Sequence, residues 1–336
     1  MTRLVVWAAL VTLAGAAFGQ DLSVLARSGT PQQVRDALAD GADVEVTDFP
    51  FWKVTPAQSG VRRLYQLGAE GLTPLMLAAA FNPDPEVVSI LLDAGARVAD
   101  RDNEGGTPLM WAAEYNANPG AVTALLEAGS RIDDRTTMGA TSLMLAAKNN
   151  PNPDVITILL RAGGRVEDRD ADGYTPLMWA AENNSNPGIV LALVKGGAKI
   201  DDRTSDGLTA LEFAIINTRN PAVISALLTS GAHAEERTGD DWTPLMVAAA
   251  NAADPAVATL LLEAGAAVNE ANATGATPLM LAARFSENPR MISTLLAAGA
   301  LAAMRDQFGK TALDYAGSNP KIRDTTEYDE LKRASK

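Results

Sequence analysis

Residues 168–200 read DRDADGYTPLMWAAENNSNPGIVLALVKGGAKI. They contain two helix starts and one helix stop. Thr175-Pro176 opens a helix: the Thr oxygen caps free N–H groups, and Pro suits the first helical position because its missing N–H has no partner there anyway. Leu177, Met178, Ala180 and Ala181 follow, a short apolar helix with a small-residue face that permits close helix approach. Asn186-Pro187 is a second cap-plus-Pro start. Ile189, Val190, Leu193 and Val194 then stand at i, i+1, i+4 and i+5 of an amphipathic second helix. It stops at Gly197, which suits a left-handed C-terminal cap. The polar run 165–173 before Thr175 is a candidate extended hairpin tip, with Gly173 in its turn.

The same grammar recurs at one spacing. The Thr stands at 73, 107, 141, 175, 209, 243, 277 and 311, always 34 residues apart. Gly95, Gly129, Gly163, Gly197, Gly231, Gly265 and Gly299 keep that interval, as do Pro85, Pro119, Pro153, Pro187, Pro221, Pro255 and Pro289. One such unit cannot bury its own apolar face, whereas stacked neighbours can, so the period predicts a solenoid.

Residues 168–200 resemble the ankyrin repeat, and the resemblance covers nearly all of 21–325. It implies a mainly α fold: an ankyrin-repeat solenoid of stacked helix-turn-helix units with projecting β-hairpin loops. It also implies a concave face of hairpins and first helices. The chain departs from the family pattern. The family usually has His after Thr-Pro-Leu; here Met76, Met110, Met144, Met178, Met246 and Met280 stand there, with Glu212 and Asp314 in two units. The family's Gly-His between the helices is absent, and that loop is one residue longer and Asn-rich. Thioether packing and Asn caps are expected to replace the His-mediated bonding.

The ends differ from the array. Residues 1–19 have a short positive start, an apolar run and small residues before Gln20, the three parts of a signal peptide. The apolar stretch, about 15 residues, is short for a spanning helix. Residues 20–48 are an N-terminal capping unit, 73–310 are seven 34-residue repeats, and 311–336 are a C-terminal capping repeat and tail. Residues 49–72 are an inserted loop: Gly41 to Thr73 spans 32 residues where 12 is standard. The insertion carries Phe49, Phe51, Trp52 and Tyr65 with Lys53, Arg62 and Arg63. It either shields the first repeat or contacts a partner.

Bulk composition narrows the function. The net charge of −13 argues against nucleic acid as a partner. No cysteine is present, which removes disulfides and thiolate chemistry. With the leader this predicts a periplasmic protein, or alternatively a secreted one, of exported bacterial type, with no membrane insertion after signal cleavage. The run Asp168–Asp172 imitates a calcium loop, but Trp179 stands where its bidentate acid belongs. Gly309-Lys310-Thr311 lacks the upstream Gly of a phosphate loop. His233 is the sole histidine and has no partner arrangement for a triad or zinc site. Paired acids such as Asp133/Asp134, Asp201/Asp202 and Glu235/Glu236 lie beside a repeating Arg (101, 135, 169, 203, 237), which predicts a salt-bridged ladder. No catalytic residue, cofactor or metal is expected.

What varies between repeats points to binding. One column reads Phe81, Tyr115, Asn149, Asn183, Asn217, Asn251, Phe285; another, just before the Thr, includes Tyr174 and Trp242. By the resemblance these columns line the binding face. Trp52, Phe81, Tyr115, Tyr174, Trp242 and Phe285 are therefore the expected contacts of a non-enzymatic, monomeric scaffold whose partner is another protein. The alternatives are a structural or protective envelope protein with broad, weak binding, or a small-ligand or enzymatic module in 49–70. Finally, Trp111 and Trp179 recur where Leu77 and Leu145 stand in the alternate units, so 73–140 and 141–208 read as copies of one 68-residue pair.

Overall fold

The computed structural model describes residues 21–47, 71–238, 241–251 and 254–336. The leader 1–19 and nearly all of the insertion, Trp52 included, lie outside them. The chain divides into two compact units, 1–171 and 172–336.

In the first unit, helices alternate between two layers. One layer stacks α1 (Leu22–Ser28), α3 (Pro74–Phe81), α5 (Pro108–Tyr115) and α7 (Ser142–Asn149). The other stacks α2 (Pro31–Ala39), α4 (Glu86–Asp93), α6 (Pro119–Glu127) and α8 (Pro153–Arg161). Thr73, Thr107 and Thr141 each accept the N–H three residues on, as the sequence predicts. The paired alanines (Ala78/Ala79, Ala112/Ala113, Ala146/Ala147) are wholly buried between successive first helices, where a larger side chain would hold the backbones apart. Second helices bury one stripe, Val87, Val88 and Leu91 in α4, flanked by half-buried Ile90 and Leu92, and expose Glu86, Ser89 and Asp93. They end in a left-handed Gly: at Gly95 φ is 97°, and the Ala96 N–H reaches the Leu91 carbonyl at 3.0 Å.

In the second unit α9 (Pro176–Asn183), α11 (Ala210–Phe213), α13 (Pro244–Ala250), α15 (Pro278–Phe285) and α17 (Ala312–Ala316) form the first layer. The second layer holds α10 (Pro187–Lys195), α12 (Pro221–Thr229), α14 (Pro255–Glu263), α16 (Arg290–Ala297) and the terminal α18 (Thr326–Ala334). The loops projecting between units contain no strand among the described residues; they close as tight turns. In one of them the Asp102 N–H meets the Gly106 carbonyl and the Gly105 N–H meets Asp102, both at 3.0 Å.

Side chains tie those turns to their neighbours. Arg101 donates to the Gly105 carbonyl and to the Arg135 carbonyl one repeat on, and pairs with Asp134. Arg135 repeats this with Gly139, Arg169 and Asp168. In the second unit Arg203 reaches the Arg237 carbonyl and Glu236, and Arg237 reaches the Ala271 carbonyl and Glu270. The calcium-like acids are thus partly spent: Asp168 serves Arg135 and Arg165. The pairs are partly exposed, so the carbonyl bonds matter more than the charges.

A buried amide ladder runs beside the first helices. Asn116 donates at 2.8 and 3.0 Å to the Ala79 and Asn82 carbonyls of the preceding repeat, and its oxygen accepts the Asn118 N–H. Asn82 and Asn150 do the same to Ala26/Gly29 and Ala113/Asn116. Asn319 does so to Ala283/Ser286. Sulfur takes a different part from the one expected. The Met144 and Met178 sulfurs lie 3.5 and 3.4 Å from the backbone N–H of Thr141 and Thr175 in their own helices, so they cap within a repeat, and asparagine bonds between repeats.

The fifth repeat breaks the pattern. Thr218 replaces the ladder Asn and gives its hydroxyl to Ala181 and Ala214. The helix continues as a π-turn, Ala214–Thr218, closed by the Arg219 N–H on the Ala214 carbonyl with Arg219 left-handed at φ 49°. Glu212 stands in the Met column, fully buried. Oε2 accepts from the Thr209 N–H and hydroxyl, while Oε1 has no partner among the described residues. Burial pushes its carboxyl above the ordinary glutamate range, and the Thr209 bonds only partly offset this. The folded chain therefore keeps this proton to higher pH than the unfolded chain, and stability is lost as pH rises from the ordinary value through the raised one. Glu212→Gln is expected to leave melting temperature nearly unchanged near pH 4 and to raise it near pH 7. Thermal melts at both values check this; an equal shift at both would remove the titration from the account.

Candidate functional site

The expected contact residues fall into local groups. Phe81 and Tyr115 occupy the last turns of α3 and α5, with Trp111 packed beside both. Ring centroids are 5.7 Å apart for Phe81–Tyr115, 5.4 Å for Trp111–Tyr115 and 6.5 Å for Phe81–Trp111. Leu72, Met76, Leu77 and Ala80 form the buried floor beneath them, and the Arg27 guanidinium lies 5.8 Å from the Phe81 ring centre. Both rings are half-buried, so they close the core and still present an edge to solvent. In the next repeat the column turns polar, and Asn149 donates to Glu114.

In the second unit Tyr174 is half-buried against Phe213 (4.8 Å) and Trp179 (6.3 Å). Trp242 is half-buried with no aromatic ring against it among the described residues. Phe285, ending α15, is 46% exposed, and its ring is covered by the Arg284 guanidinium at 4.8 Å. The structure thus groups Phe81 with Tyr115 and keeps Tyr174, Trp242 and Phe285 as separate points on later repeats. His233 is exposed beside Asp201 at 3.6 Å. Among the described residues no three His, Asp or Glu side chains gather as a metal-holding set.

The recurring Trp has a polar role that sequence reading missed. The Trp111 indole donates to Asp102 Oδ2 at 2.6 Å, and Asp102 Oδ1 accepts the Glu104 and Gly106 N–H groups. Tyr315 likewise gives its hydroxyl to Asp306, which accepts from Phe308 and Lys310. Burial opposes ionisation of Asp306, but these donors outweigh it and hold its carboxyl below the usual range. Where the column holds Thr136, Thr204, Thr238 or Asn272, its oxygen still takes the N–H four residues on. The residue nine on is then Leu145, Phe213, Val247 or Leu281, none with a polar hydrogen. The signal was a pairing between two columns: acid with donor-bearing ring, neutral side chain with apolar residue.

A family model described as ankyrin repeats (3 copies) matches residues 22–136, 116–204, 143–238, 186–272, 219–306 and 245–328. The crystal structure of the human ASB11 ankyrin repeat domain is similar at 25% identity and a TM-score of 0.60, over 68% of this chain and 99% of that one. No curated protein gives a significant match. Matches to 524 chains of solved structures show how widely the architecture is shared, so it names no particular partner. From residue 22 to 328 the family matches overlap without a gap, and the chain belongs to the ankyrin-repeat family.

Proposed function

We propose that this chain is a non-enzymatic, monomeric scaffold that binds another protein through aromatic points on its first helices, on the turns before them and on the insertion. Ankyrin repeats indicate a protein-interaction scaffold. The reading here goes further and assigns the contacts to Phe81, Tyr115, Tyr174, Trp242 and Phe285, with Trp52 from the insertion. The half-buried Phe81 and Tyr115 rings, packed on Trp111, support it most: the repeat itself does not need these two rings, since Asn149 and Asn183 fill the same column. Aromatic side chains held by packing and open on one edge make low-entropy anchors. The leader-like 1–19 and the absence of cysteine support a periplasmic or secreted location. No helix among the described residues is long and apolar enough to cross a membrane.

A photo-crosslinking residue placed at 115 is expected to capture a discrete partner in cells, while the same residue at 191, an exposed second-helix position, captures none. Equal capture at both positions would favour the protective, broad-binding alternative. In purified form Tyr115→Ala with Trp242→Ala is expected to weaken the captured partner at least about tenfold. Mass analysis of the exported chain, with a start near Gln20 expected, checks the location.

A further inference from the structure

Most arginines along the turns are paired: Arg101, Arg135, Arg203 and Arg237 each hold a carboxylate of the neighbouring repeat. At the C-terminal end of the second unit Arg305 keeps the bond to its own turn, at the Gly309 carbonyl, but holds no carboxylate among the described residues; two cations outside that column stand near it. Arg284 lies 5.4 Å from the centre of the Tyr315 ring and Lys310 Nζ lies 5.3 Å from the same centre. Arg284 also covers Phe285. Among the described residues neither cation makes an ion pair, and both are exposed. The local carboxylates are committed elsewhere. Asp306 takes the Tyr315 hydroxyl and two backbone N–H groups, and Asp314 takes the Thr311 N–H and hydroxyl; both attract Lys310 through space without closing an ion pair with it. The Tyr315 hydroxyl is therefore fixed by Asp306, and two like charges lie against its ring, neither of them in an ion pair among the described residues.

The geometry points to a recognition site for an acidic side chain: we propose that Arg284 and Lys310 hold an Asp or Glu of a partner protein segment, and that an adjoining apolar residue covers Phe285. This rests on the scaffold reading above and names the chemistry of the partner at one of its points. Two cations sharing one ring repel each other, and a carboxylate placed between them removes that repulsion while keeping both cation–ring contacts. Phe285, 46% exposed, supplies the apolar half of the contact. Charge sets the length of the acidic element. The chain carries −13 overall, so a long polyanion is repelled by the rest of the surface, whereas one or two carboxylates flanked by apolar residues meet only this local positive field. Lys310 stands in the same variable column as Tyr174 and Trp242, and Phe285 in that of Phe81 and Tyr115, so the site occupies the face already assigned to binding.

The test is to pan the full chain against phage-displayed random peptides and titrate the enriched sequences. The expected peptides carry Asp or Glu beside an apolar residue. Their affinity is expected to fall about tenfold in Arg284→Gln/Lys310→Gln, and also with added salt, as for a solvent-exposed charge pair. Phe285→Ala is expected to weaken the same peptides, and Tyr115→Ala to leave them unchanged. Enriched peptides without acidic residues, or unchanged affinity in a double variant that melts like the parent, would overturn the site. So would oligothymidylate binding in their place. Peptides that depend on Tyr115 and not on Arg284 and Lys310 leave the scaffold reading standing and remove this site; enrichment of no peptide removes both.

Discussion

Asn116→Ala is expected to lower stability by about 3 kcal/mol, because one truncation strands three backbone groups. The Ala79 and Asn82 carbonyls lose their donor away from water, and the half-buried Asn118 N–H loses its acceptor. Exposed Asn183→Ala, in the neighbouring column, is expected to cost under about 0.5 kcal/mol, since solvent replaces what the side chain gave. Urea titration followed by circular dichroism measures both. A cost for Asn116→Ala below about 1 kcal/mol would mean that water or backbone adjustment satisfies the freed groups. Asn116→Ser is expected to fall between: Ser286 occupies the equivalent place later in the chain and accepts the Asn288 N–H, but a hydroxyl cannot donate twice.

The second large effect is expected at Trp111. Trp111→Phe keeps most of the ring stack with Phe81 and Tyr115 but leaves the buried Asp102 carboxylate without its side-chain donor, at a cost of about 2–3 kcal/mol. Asp102→Thr on that background is expected to recover much of the loss. Thr136 shows that a hydroxyl in this column still accepts the N–H four residues on, and nothing charged then remains to be solvated. A double-mutant cycle reads the coupling directly, and additive losses would show that the indole hydrogen bond contributes little beyond packing.

Much of the fold is legible in the sequence because its markers are local. Thr107 caps a helix three residues away, and Gly95 must turn left-handed wherever its neighbours lie. The ladder of Asn82, Asn116 and Asn150 is not legible in the same way. Each donates to carbonyls 34 or more residues away, and in a stretch such as Asn116-Ala117-Asn118-Pro119 the second Asn already explains the cap. The doubled Trp reads as duplication and packing until Asp102 is seen to need a donor; the acid and the ring are nine residues apart, too far for any helix or turn rule to link them. The candidate face was partly legible. Phe81 and Tyr115 stand out because their column is otherwise polar over the middle repeats, but burial by the Trp111 stack depends on tertiary neighbours. The Arg284–Lys310 pair was invisible, since an unpaired cation is defined by carboxylates that face elsewhere.

The direction of the asparagine bonds bears on synthesis. Each amide reaches back to carbonyls of the repeat before it, so a repeat leaving the ribosome has open helix ends until its successor emerges. Over the repeats closed by Asn82, Asn116 and Asn150 the growing chain is thus one repeat short of polar closure at its newest edge. At the last edge, Asn319 performs the same closure on Ala283 and Ser286 from a short helix pair rather than a full repeat. A short segment can thus close its predecessor's backbone without a full repeat, with the polar helix α18 packed beside it through Leu331.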